Sequence, residues 1–237
     1  MKSSSQRLQE KEHFSRKKGR KGNAPIIASL CALLLATSVL TVACAPVRQE
    51  IPQEYATGLA VAPFSQPEEE WILLKGELPA DTERASAETM RELTESLKAG
   101  LREKGAKLVS DPEEISRCKE KVLERITPDK GKTLDYWSEV GLCAEADYLL
   151  VPQILSWRER VGTSWGVQKS AKVHMRMELI DAQNKELVGS FGFRKEQVSL
   201  TRDLLQIRTF IRLGGRWVTA QELTELGVDR GLRELGL

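Results

Sequence analysis

The sequence predicts an α/β fold of α+β-like layout. It would be a single two-layer domain whose mixed sheet ends in an antiparallel three-strand meander, with helices on one face. Three observations predict it. Ala171, Val173, Met175, Met177 and Leu179 alternate with Lys172, His174, Arg176 and Glu178, the period of two expected of a strand with one face on the core. Met90, Leu93, Leu97 and Leu101 recur at intervals of three and four, the stripe of an amphipathic helix. Gly58-Leu59-Ala60-Val61-Ala62-Pro63-Phe64 and Tyr148-Leu149-Leu150-Val151 are short apolar runs suited to buried strands.

The chain opens with a segment of a different kind. Residues 1–23 carry eight basic residues, among them Arg16, Lys17, Lys18, Arg20 and Lys21, against only Glu10 and Glu12. Positive charge resists translocation, so this end is held on the cytoplasmic side. Residues 24–43 contain no charged side chain and close on Leu40-Thr41-Val42-Ala43-Cys44. These five residues resemble the bacterial lipobox, in which small residues precede a cysteine that becomes the lipidated amino terminus; Thr41 stands where Leu is usual. The resemblance implies that residues 1–43 are a signal peptide and that Cys44 is acylated. Each acyl chain adds ~0.8 kcal/mol per buried CH₂, so several make a stable anchor. Ala45, in place of the Asp that marks inner-membrane retention, implies sorting to the outer membrane. The same apolar run is also long enough to be an uncleaved membrane span.

Residues 44–57 hold two prolines and no periodicity, and read as a lipidated tether. The domain proper is expected over 58–237. Its first strand, 58–64, reads as central in the sheet. Residues 65–83 are a charged surface insertion with Trp71, Ile72, Leu73 and Leu74 at its middle, suited to covering the sheet or meeting a partner. A helix over 84–104 ends at Gly105, and residues 106–109 form a short strand. Asp111-Pro112 opens a second helix, with Asp as N-cap and Pro in the first turn. A third helix runs over about 134–146. A strand over 148–161 turns at 162–166 into the alternating strand, and Leu187, Gly189, Phe191 and Phe193 line its return. Residues 200–236 read as helical, with a break at Gly214-Gly215 and a capping box at Thr219-Ala220-Gln221-Glu222.

The whole chain has 36 basic and 34 acidic residues, but residues 44–237 keep 28 and 32. A slightly acidic body lacks the electrostatic footprint of a nucleic-acid binder. Four cysteines are present. With Cys31 inside the apolar run and Cys44 assigned to lipid, Cys118 and Cys143 remain as an even pair, and in an oxidising compartment they would form a disulfide between the second and third helices. No CxxC exists and His174 is the one histidine after Cys44, so neither a metal site nor a cofactor is expected. His174 falls on the solvent phase of its strand without a nucleophile motif, and reads as a lone exposed histidine. Glu68-Glu69-Glu70 lacks calcium-loop spacing and reads as a solvated turn.

The order of these pieces resembles a group of bacterial envelope lipoproteins sharing a domain similar to the amino-terminal domain of the Tol translocation protein. The group includes the curli-secretion lipoprotein and the lipoprotein activators of penicillin-binding proteins. The residues that carry the resemblance are Leu59-Ala60-Val61-Ala62-Pro63-Phe64, the long helix ending at Gly105, and Ala144-Glu145-Ala146-Asp147-Tyr148-Leu149-Leu150-Val151. It implies a binding and assembly module, not an enzyme, acting in envelope transport, secretion or cell-wall synthesis. The implied partners are the membrane, through the lipid anchor, and envelope proteins. The insertions are too short for the ~9–11-residue spanning strands of a pore. Trp71 and Trp165, on loops, and Arg202, Arg208 and Arg212, among apolar residues, are the candidate partner contacts. Two other readings stay open: an envelope hydrolase, and a structural lipoprotein that forms a homo-oligomer through the meander edge.

Overall fold

The computed structural model describes residues 52–197, apart from 57, 81, 128, 165 and 166, and residues 217–237. In chain order come β1 (Leu59–Val61), α1 (Ala87–Glu103), α2 (Pro112–Leu123), α3 (Thr133–Cys143) and β2 (Tyr148–Arg158). A small hairpin of β3 (Val161–Gly162) and β4 (Val167–Lys169) follows, then β5 (Lys172–Asp181), β6 (Glu186–Glu196) and α4 (Ala220–Glu234). The main sheet runs β1-β2-β5-β6. β1 is parallel to β2, and β2, β5 and β6 are successively antiparallel. The mixed α/β class and the three-strand meander are those the alternation predicts.

Helix ends follow local chemistry. Ser86 caps α1 by accepting from the Thr89 amide at 3.0 Å. Pro112 opens α2, although the Asp111 side chain makes no capping bond. Thr219 and Glu222 form the full capping box of α4.

Three expectations change. Helices lie on both faces of the sheet, not one. Leu93, Leu97 and Leu101 of α1 and Leu223, Val228 and Leu232 of α4 pack with Leu150, Met175, Met177 and Phe191 in one core. Ile115, Cys118 and Val122 of α2 and Tyr136, Trp137 and Val140 of α3 pack with Ala60, Leu149, Val151 and Ile180 in a second. Consecutive strand residues point to opposite faces, so Leu149 and Leu150 can serve two cores only in a sheet covered on both sides. The alternation of β5 hides this, because helices reach only one end of its second face. The 58–64 run, expected as central, supplies β1 at the end of the strand order, and residues 106–109 reduce to one parallel bridge, Leu59 to Leu108. Pro63 has no amide hydrogen to donate to a ladder, and the chain beyond it meets β2 by a bridge between Ser65 and Gln153.

Helix α4 lies close on the sheet because two of its contact positions lack a side chain. A Cβ at Gly227 would come within 2.7 Å of the Met175 sulfur, and one at Gly231 within 2.7 Å of the Met177 sulfur.

Candidate functional site

The second face of the sheet is covered in part by α2 and α3 and in part by residues 65–83. That insertion is pinned inward. The Ile72 carbonyl accepts from Trp137 Nε1 at 3.0 Å and from Gln153 Nε2 at 3.3 Å, and the Trp71 carbonyl accepts from Thr133 Oγ1. Leu73 is buried. The far end of the insertion seals the β2 edge: the Glu83 amide donates to the Trp157 carbonyl at 3.1 Å and the Trp157 amide to Thr82 Oγ1 at 2.8 Å. The insertion thus covers the sheet, one of the two roles its apolar centre suits.

Beyond the insertion, no helix or loop among the described residues packs over the rest of this face. Its floor is built by the residues of β5 and β6 that point away from the first core: His174 opposite Arg194, Arg176 opposite Gly192 and Glu178 opposite Ser190. Arg194, Gly192 and Ser190 are exposed, while Lys172, His174 and Arg176 are half-buried. The result is a trough with the insertion as one wall. Gly76 of that wall stands beside Arg176, where a Cβ would lie 3.5 Å from the Arg176 Cδ. At the Lys172 end the trough opens into a recess lined by Thr82, Glu83, Ser156, Trp157 and Arg158.

The charges of the trough are unequally matched. Arg176 Nε donates to Glu178 Oε1 at 2.6 Å and Arg176 Nη2 to Ser190 Oγ at 2.7 Å. Arg158 pairs with Glu196 at 2.5 Å, and Glu83 accepts from the Glu159 amide at 3.3 Å. Among the described residues no carboxylate pairs with Lys172 or Arg194; Arg194 Nη2 lies 3.3 Å from His174 Nδ1. Glu178 is fully buried and its Oε2 has no hydrogen-bond partner among the described residues; burial pushes its pKa up against the pull of Arg176.

His174, read from the sequence as exposed, is half-buried. Burial first, then Arg194, Arg176 and Lys172, lower its pKa from 6.5 to about 4. A neutral imidazole can therefore accept from Arg194. Between pH 6.5 and about 4 the unfolded chain binds a proton here that the folded chain does not, so stability falls with pH through that window. Glu178 acts with the opposite sign: its raised pKa contributes stability that is fully present at low pH and fades as pH rises through the folded value. Comparing His174→Gln with the wild type isolates the histidine. The variant is expected to lose less thermal stability than the wild type between pH 7 and pH 4, and equal losses would refute the assignment.

Of the residues singled out from the sequence, Cys118 and Cys143 are joined as a disulfide with Cα atoms 5.7 Å apart. Trp71 is half-buried: its ring meets Tyr136 edge-on at 5.2 Å, and its Nε1 donates to Glu69 Oε2 at 2.7 Å. The ring is thus committed to holding the insertion against α3. Glu68 pairs with Arg84 and Glu70 with Lys130, both at the surface, so the acidic run is tied down by three separate partners. Cys44, Trp165, Arg202, Arg208 and Arg212 lie outside the described residues. Among the described residues, no group of three or more His, Cys, Asp and Glu side chains could hold a metal ion, and no helix is long and apolar enough to cross a membrane. The trough itself was missed from the sequence. Its signal was the run Lys172, His174 and Arg176 on the polar phase of β5, which by itself marks any solvated strand face.

No protein-family model matches the chain, and neither does any curated protein. Solved structures are similar to it. The C-terminal domain of LpoB from Salmonella enterica is 18% identical, with 60% of this chain and 84% of that one covered and a TM-score of 0.34. PelC from Paraburkholderia phytofirmans, a dodecamer, is 13% identical over 79% of this chain and 93% of its own, with a TM-score of 0.39. A lipoprotein from Neisseria meningitidis is 12% identical over 67% and 92%, with a TM-score of 0.35.

Proposed function

We propose that this chain is an outer-membrane lipoprotein whose periplasm-facing α/β domain is a non-catalytic binding or assembly factor, serving envelope transport, secretion or cell-wall synthesis. Residues 1–43 act as its signal, Cys44 as its acylated anchor and residues 44–57 as the tether to the domain over 58–237. The observation that carries the reading is the run Leu40-Thr41-Val42-Ala43-Cys44 closing an uncharged segment behind a basic one. The disulfide between Cys118 and Cys143 supports it, since such bridges persist in oxidising compartments.

The experiment is metabolic lipid labelling of the full chain with and without Cys44→Ser. Wild-type chain is expected to take up the label and the variant to take up none. A variant that is still acylated sinks the lipoprotein reading and leaves the plain membrane span in its place.

A further inference from the structure

We infer that the trough between the 65–83 insertion and β6 binds an extended, carboxylate-rich peptide segment of a partner protein. The inference deepens the binding-factor reading above and rests on it.

Charge is the first argument. Lys75, Arg158, Lys172, Arg176 and Arg194 surround the trough, against Glu83, Glu178 and Glu196. Two of those acids are already ion-paired to Arg176 and Arg158, and the third holds a backbone amide. Lys75 lies near enough to Glu178 to favour its charged form. That leaves Lys75, Lys172 and Arg194 against one acid without an ion-pair partner, the exposed Glu83, and a surplus of cations recruits an anion.

Spacing is the second argument, and it selects the kind of anion. Lys172, His174 and Arg176 sit on alternate positions of one strand, about 7 Å apart. Alternate carboxylates of an extended peptide repeat at that same distance, so one acidic segment lying along β5 meets several donors in register. A lone phosphate would use one of them.

Space is the third. Gly192 leaves the floor open beside the guanidinium, where a Cβ would already lie 3.4 Å from Arg176 Nη1. Ser190 and Gly192 are exposed along this line, so a ligand can lie on the strand beside a fixed Arg176. Arg176 is held by Glu178 and Ser190 before any ligand arrives, which lowers the ordering cost of binding.

A membrane surface fits less well. Interfacial binding needs apolar side chains to bury beside the cations. Among the described residues, the large apolar side chains that are exposed are Val109, Leu123, Val161 and Val188, and only Val188 belongs to a floor strand, β6, so they form no apolar wedge there.

The test titrates the full chain in detergent micelles with a fluorescein-labelled peptide of four Glu-Ser repeats, read by anisotropy. The His174 imidazole signal is followed in parallel by NMR, assigned through its loss in His174→Gln; the chain's other histidine is His13. Saturable binding that moves the His174 signal is expected. Lys172→Glu combined with Arg194→Glu should weaken it at least tenfold, with the melting temperature of the domain checked to be that of the wild type. Gly192→Val, which adds bulk beside the Arg176 guanidinium without altering charge, should also weaken it. No peptide binding, or binding indifferent to both variants, overturns the inference. So does a His174 signal that moves only when phosphatidylglycerol replaces phosphatidylcholine in the micelles, which would give the trough to the membrane. Lipid labelling reads Cys44 and this titration reads the trough, so a failure of one reading is told apart from a failure of the other.

Discussion

Replacing Cys118 and Cys143 together by alanine is expected to lower the stability of the domain by about 3 kcal/mol. The bridge closes a loop of sequence separation 25 between α2 and α3, and breaking it restores loop-closure entropy to the unfolded chain. Cys118 is also buried in the second core, next to Ile115, Val122 and Val140, so shortening it leaves a small void. At 2–4 °C per kcal/mol for a domain of this size, the melting temperature should fall by roughly 6–12 °C. Guanidinium unfolding of wild type and variant, each in oxidising buffer, measures it. Reduction of the wild type should reproduce most of the loss. A midpoint that shifts by an amount worth less than 1 kcal/mol would show that helix packing alone docks α2 on α3.

Trp137→Ala is expected to cost more, about 3–5 kcal/mol. The indole is 1% exposed, packs edge-on against Tyr136 at 5.1 Å, and lies under the Lys119 ammonium at 5.6 Å. Burial among these neighbours also lowers the Lys119 pKa. The same ring is a latch, because its Nε1 holds the Ile72 carbonyl of the insertion at 3.0 Å. Trp137→Phe separates the two roles. It keeps most of the apolar volume and loses the hydrogen bond, for about 1 kcal/mol, while freeing one of the two donors on that carbonyl. Urea unfolding should therefore rank alanine far below phenylalanine. Limited proteolysis should cut the phenylalanine variant faster than wild type within residues 65–83. Cutting at the wild-type rate would show that Gln153 and Leu73 suffice to hold the insertion, and that the trough wall does not depend on Trp137.

The elements legible in the sequence are those whose cause is local. Helix α1 was legible because Leu93, Leu97 and Leu101 share one face, and β5 because its alternation is unbroken. The capping box of α4 is four consecutive residues, so no distant contact was needed to see it. The disulfide was legible by counting, since two cysteines were left over once the others had roles. What stayed hidden depends on which part of the chain covers which surface. Residues 65–83 carry their apolar side chains in one short cluster without periodicity, and only the Ile72 carbonyl between Trp137 and Gln153 shows where that cluster goes. His174 looked solvated because its strand neighbours are polar. In the fold it is half-buried and faces Arg194 on the neighbouring strand, whose Nη2 lies 3.3 Å from its Nδ1.

The sequence by itself determined the mixed α/β class, the antiparallel run of β2, β5 and β6, and the pairing of Cys118 with Cys143, because periodicity, turn chemistry and residue counts are all written along the chain. It likewise carries every residue on which the lipid-anchor proposal depends. Only the tertiary structure decided that both faces of the sheet are covered, that Trp71 turns inward, and that Lys172, Arg176 and Arg194 gather in one trough. The physical reason is that alternation records which residues share a face, while the choice of what covers a face is made by contacts between segments far apart in the chain. Ile72 with Trp137 and Gln153, sixty-five and eighty-one residues on, is the clearest of those contacts.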